Sequence, residues 1–118
     1  MSATETKLTA TQKIKFEWTS DSSGDATVTT SNIFDGSVLE CVTVPGSAGN
    51  QPTDQYDITI TDSDSIDVLH GNGANRSNAS TEYIVETNLG TVVNSKLTLT
   101  VANAGDTKSG VVYLFIRT

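Results

Sequence analysis

Apolar and polar residues alternate with a period of two along most of this chain. Between 13 and 19, Ile14, Phe16 and Trp18 alternate with Lys13, Lys15 and Glu17, which predicts a strand with one face buried and the other wet. Residues 21–25 carry Asp, Ser and Gly turn chemistry, and a Thr-rich extended run over 26–34 passes through Val28, Thr30 and Ile33, so the two runs are expected to form a hairpin. Over 36–44, Val38, Leu39, Cys41, Val42 and Val44 leave little polarity on either face. Such a run predicts a central strand covered on both sides and ended by Pro45 and Gly46. Residues 47–54 are rich in Gly, Asn, Gln and Pro, without periodicity, and read as a loop.

Tyr56, Ile58 and Ile60 then alternate with Asp57, Thr59 and Thr61, and apolar character resumes over 66–69 after an Asp-Ser interruption. This predicts either one strand broken by a bulge or two strands joined by a turn. Residues 70–80 hold three Asn and two Gly and read as an exposed loop, a place where contacts concentrate. Tyr83 and Val85 mark a short strand running toward Leu89, Leu97, Leu99 and Val101 mark another, and 111–117 is apolar nearly throughout, as a central or doubly covered strand would be. No window sustains a helical period, and turn signals recur every ~8–12 residues. The pattern predicts an all-β fold, an antiparallel β-sandwich (jelly-roll or Ig-like) of about seven or eight strands. Its core is expected to contain Ile14, Phe16, Trp18, Leu39, Cys41, Ile58, Ile60, Leu97, Leu99, Val101, Leu114 and Ile116.

Length sharpens this picture to one domain: 118 residues suffice for a single core. Residues 13–118 are assigned to that domain. The polar, Thr-rich residues 1–12, with an isolated Leu8, are read as an N-terminal arm that orders on binding. Charged residues make up 18% of the chain, while 13 Ser and 19 Thr supply polarity in a form that favours strands. Seven basic against fourteen acidic residues give a formal charge of −7. That balance argues against nucleic acid or an anionic membrane as partner, since phosphates are bound by Lys and Arg. Residues 1–6 lack the charged and apolar regions of a secretory signal, and no run approaches the ~20 apolar residues of a membrane helix. The chain is expected to be made in a cytoplasm and to stay soluble.

Chemistry-bearing constellations are sparse. Cys41 is the single cysteine, lies in an apolar run and is expected to pack as a small hydrophobe. A triad built on His70, the single histidine, with Asp67 and a serine can be drawn on paper, but a triad is defined by geometry, and no catalytic residue is assigned. Asp62, Asp64 and Asp67 are candidate metal ligands, because Ca²⁺ takes several oxygen ligands from one turn. An EF-hand starting at Asp62 would require Gly and Glu where this chain has Asp67 and Gly73. Asp and Ser also fill such bends by bonding their own backbone. The Gly-Asn stretch at 71–75 lacks the Lys-Ser/Thr of a phosphate loop, and no cofactor is expected. Trp18, Tyr56, Tyr83 and Tyr113 fit either a core cluster or a sugar-stacking platform. Interface candidates are Leu8 and Thr9 in the arm and Gln51, Asp54, Asn72, Asn75, Arg76 and Asn78 in the loops.

The runs Lys15-Phe16-Glu17-Trp18-Thr19-Ser20-Asp21-Ser22-Ser23-Gly24, Tyr56-Asp57-Ile58-Thr59-Ile60-Thr61-Asp62 and Ile66-Asp67-Val68-Leu69, with the closing residues 110–117, resemble small virion proteins of tailed bacteriophages over most of the chain. The motifs are strand and turn patterns rather than catalytic signatures. The resemblance is to capsid decoration or cement proteins, and it implies a non-enzymatic protein on the capsid surface, synthesised in the host bacterial cytoplasm. It further implies a homo-oligomer, trimer or dimer, that bridges subunits of the major capsid protein. A tail, baseplate or head-fibre component, or a carbohydrate-binding β-sandwich module, is the alternative.

Overall fold

The computed structural model describes residues 1–7, 11–85, 87 and 89–118. The chain forms an all-β sandwich of two antiparallel sheets. Nine strands are described: β1 (Ser2–Lys7), β2 (Thr11–Thr19), β3 (Ala26–Thr29), β4 (Phe34–Pro45), β5 (Asp57–Thr61), β6 (Glu82–Val85), β7 (Thr91–Ser95), β8 (Thr98–Ala102) and β9 (Ser109–Arg117). The larger sheet has the order β1-β2-β9-β4-β6, with β7 also paired to β4, and the smaller has the order β3-β8-β5. No described helix is long and apolar enough to cross a membrane.

The core lies between the sheets and follows the period of two. Ile14, Phe16 and Trp18 of β2, Val112, Leu114 and Ile116 of β9, and Phe34, Val38 and Cys41 of β4 point inward from the larger sheet. Val28, Ile58, Ile60, Leu99 and Val101 meet them from the smaller one. Trp18 pairs in register with Gly110, and a Cβ on Gly110 would sit 2.6 Å from the indole, so the ring packs where no side chain can stand. The opposite side of the indole meets the Tyr56 ring at a centroid distance of 5.6 Å.

Several elements differ from the expected pattern. Residues 2–7, read as part of an arm, pair along β2 in continuous register and form an edge strand, with Ala3 packed against the core. The expected hairpin of β2 with the next strand does not form. The Asp21 carboxylate accepts the Ser23 and Asp25 amides at 2.8 and 3.0 Å and closes the turn, but the chain then crosses to the other sheet. Both edges of β2 are already taken by β1 and β9, so β3 finds its partner in β8. Leu39, expected in the core, is half-buried: the β4–β9 register shifts between Val38 and Glu40, and the bulge turns Leu39 away while Val38 takes the inward place. Residues 62–71 form turns rather than a strand, joined to β5 by a Thr61–Asp67 bridge. Tyr83 and Val85 face outward, and Ile84 is the buried residue of β6. The expected loop at 47–54 contains one 3₁₀ turn, Ala48–Asn50.

Trp18→Ala empties the largest buried side chain and is expected to cost about 3–5 kcal/mol, read as a lower urea midpoint at unchanged slope. Gly110→Ala forces the indole to move without removing it and is expected to cost about 1–3 kcal/mol by the same measurement.

Candidate interaction surface

The loop residues expected to make contacts are largely knit to one another. Gln51 Nε2 donates to the Asn78 carbonyl at 2.9 Å, and the Asp54 carboxylate accepts the Asn78 amide at 3.1 Å. The Arg76 amide donates to the Tyr56 carbonyl at 2.7 Å, the Arg76 guanidinium lies 3.8 Å from Glu82, and Asp57 accepts the Asn75 amide at 2.9 Å. Gln51, Asp54, Asn75, Arg76 and Asn78 therefore meet in one cluster at the end of the sandwich. The Asn72 side-chain amide donates to the Leu69 carbonyl at 3.0 Å. Leu8 and Thr9 lie outside the described residues.

The acidic bend is also engaged with its own backbone. Asp62 accepts the amides of Asp64 and Ile66 at 2.9 and 3.0 Å. Asp67 accepts those of Ile60, Leu69 and Gly71 at 3.2, 3.0 and 2.9 Å. Among the described residues no three His, Cys, Asp or Glu side chains gather as a metal-binding group. Asp67 is thus a turn cap for the segment that carries His70, and the His70 imidazole packs against Gly90. Two shallow depressions of about 350 and 340 Å³ open near Met1, lined by residues such as Trp18, Pro45 and Val111 in one and Asp21, Asp25 and Thr27 in the other.

The aromatic residues divide into two groups. Trp18 and Tyr56 are fully buried, whereas Tyr83 is 64% exposed and Tyr113 is half-buried on the outer face of the larger sheet. That face is built in rows across the strands. Glu17, Val111 and Val44 form one row; Lys15, Tyr113, Val42 and Tyr83 the next; Lys13, Phe115, Glu40 and Val85 a third. Val111, Tyr113 and Phe115 of β9 have the same outward parity and are half-buried, and β9, expected to be central or doubly covered, is central, between β2 and β4. Lys13 Nζ stands 5.2 Å from the centre of the Tyr113 ring, within cation–π range. Val85 is 54% exposed at the edge. A contiguous apolar and aromatic sheet face rimmed by charges is the usual form of a protein contact site.

Sequence reasoning assigned no contact role to this face, although the signal was present. An apolar run at both parities marks a strand that gains from cover on its second face, and Val111, Tyr113 and Phe115 are half-buried there.

No protein-family model matches the chain, and neither a curated protein nor a solved structure matches it.

Two buried groups fix the response to alkali. Burial pushes the Cys41 thiol up to about 12 against an opposing pull from Arg76, and burial pushes the Tyr56 phenol up to about 12, opposed first by the Thr43 hydroxyl beside it. The Tyr56 and Thr43 hydroxyls reach no full hydrogen-bond geometry with a described partner. Both groups are neutral when protonated, and both pKa values are raised on folding, so their contribution is complete below the ordinary values of 9.0 and 10.0. It is lost as pH rises from about 9 toward about 12. The melting temperature is expected to fall over that window, and Cys41→Ala with Tyr56→Phe should flatten the fall. At pH 8, a thiol reagent should label Cys41 only in denaturant, with unfolding and labelling sharing one midpoint.

Proposed function

We propose that this protein is a non-enzymatic structural component that works by adhesion, and that its setting is a bacteriophage capsid, where it decorates the head and bridges subunits of the major capsid protein. The observation that carries the adhesive reading is the outer face of the larger sheet, where the half-buried Val111, Tyr113 and Phe115 of β9 continue across the buried Val42 to the exposed Tyr83 and Val85. A chain of this size gains nothing for its own fold from apolar side chains left in water, whereas a contact surface does. The virion setting is supported by the resemblance of the strand and turn runs at 15–24, 56–62 and 110–117. Many copies that each add a modest interface stabilise a shell by mass action without any chemistry. The catalytic alternative has little support, since Asp67 is committed to three backbone amides and does not orient His70.

A carbohydrate-binding role has one specific observation in its favour. Tyr83 and Tyr113 lie in one row of a flat face, and aromatic faces stack on the apolar faces of pyranose rings.

Purified protein mixed with expanded, undecorated phage heads is expected to give ordered density at symmetry-related sites between capsomers in cryo-electron microscopy, with saturating copy number. Bare heads together with a signal on a glycan array would replace the capsid reading with the carbohydrate one. Bare heads and a blank array would remove both settings.

A further inference from the structure

We propose that the outer face of the larger sheet is a two-fold interface with a second copy of this chain, with the axis running along β9. The inference rests on the adhesive reading of that face and names its partner. Size is the first argument. The strands β1, β2, β9, β4 and β6 hold 6, 9, 9, 12 and 4 residues, and at ~4.8 Å spacing and ~3.3 Å rise they make a face on the order of 600 Å², at the lower end of what each partner contributes to a specific interface.

Charge is the second argument, and it selects the partner. Lys13 and Glu40 lie in one row on either side of Phe115, in the order Lys13, Phe115, Glu40. Neither is in an ion pair among the described residues, where the one ion pair joins Arg76 to Glu82. A rotation about an axis along β9 lays β9 on β9 of the second copy and β2 on β4. Phe115 and Tyr113 then meet their own counterparts, and Lys13 meets Glu40 of the second copy while Glu40 meets its Lys13. The same row supplies both halves of the contact, as a closed two-fold interface requires. Partners of one uniform charge, such as a basic protein or an anionic surface, would satisfy one flank and oppose the other. Packing at the usual ~30° between aligned sheets keeps these facing positions within side-chain reach. The loop cluster around Asp54, Asn75 and Arg76 is assembled at the end of the sandwich and stays uncovered, so a pair of copies would present two such ends to two neighbours.

Sedimentation velocity over a concentration series tests the pairing, with circular dichroism melts confirming that each variant folds. The parent chain is expected to dimerise reversibly in the micromolar range. Lys13→Glu and Glu40→Lys should each weaken association by at least about tenfold, since each sets like charges opposite one another at two places. An equimolar mixture of these two variants restores opposite charges at both places and should recover a dimer to within about threefold of the parent. A parent chain that stays monomeric at millimolar concentration overturns the proposal, as do variants that dimerise unchanged or a mixture that fails to recover. Glycan-induced shifts of the Tyr83 and Tyr113 signals in a monomer would assign the face to sugar instead. Head binding by a monomeric chain would refute the pairing and leave the capsid role standing; a charge-dependent dimer that ignores heads would do the reverse.

Discussion

The position of β9 governs this molecule. The last strand lies between β2 and β4 and makes nine residues of antiparallel ladder with the first and eight paired positions with the second. Each complete row of the larger sheet runs through it, so that sheet forms only when residues 109–117 reach partners about 100 and 70 positions earlier in the chain. Closing such loops costs entropy before the contacts repay it, and topologies of this kind fold slowly relative to helical ones. The same strand presents Val112, Leu114 and Ile116 to the core and Val111, Tyr113 and Phe115 to the outside. The core and the half-buried outer surface of the sheet thus draw on opposite faces of one element.

Polar groups are used differently at the two ends of the argument. In the turns, Asp21, Asp62 and Asp67 accept two or three backbone amides each, satisfying donors that a tight bend cannot pair within a sheet. A carboxylate held this way is a structural part, which is why an acidic, loop-rich sequence need not carry acid chemistry. On the sheet face Lys13 stands over the Tyr113 ring, and it and Glu40 flank an apolar row instead of closing a turn. Asp54 and Asp57 likewise accept loop backbone amides, while the outer face of the larger sheet exposes Tyr83 and Val85.

Much of the fold was legible in the chain. Period-two alternation located β2, β5 and β8 because one-sided burial leaves that imprint on any half-covered strand, a run apolar nearly throughout located β9, and Asp, Ser and Gly located the bend at 21–25 because few residues tolerate its backbone. The inward placement of Ile14, Phe16, Trp18, Ile58, Ile60, Leu99 and Val101 followed from the same alternation. Leu39 was misplaced because the bulge in β4 shifts the register by one residue, which reverses which side chain points inward, and apolar identity alone does not record it.

By itself, then, the sequence determined that this is an acidic all-β sandwich with most of its alternating apolar residues inside, because those properties follow from local periodicity and composition. Tertiary structure alone decided which strands pair, that residues 2–7 extend the sheet, that five predicted loop residues meet in one cluster, and that the second apolar face of β9 is half-buried. Those outcomes depend on which edges of which strands are still vacant when the sheets assemble. Vacancy of that kind is a property of the whole chain and leaves no mark on any one segment.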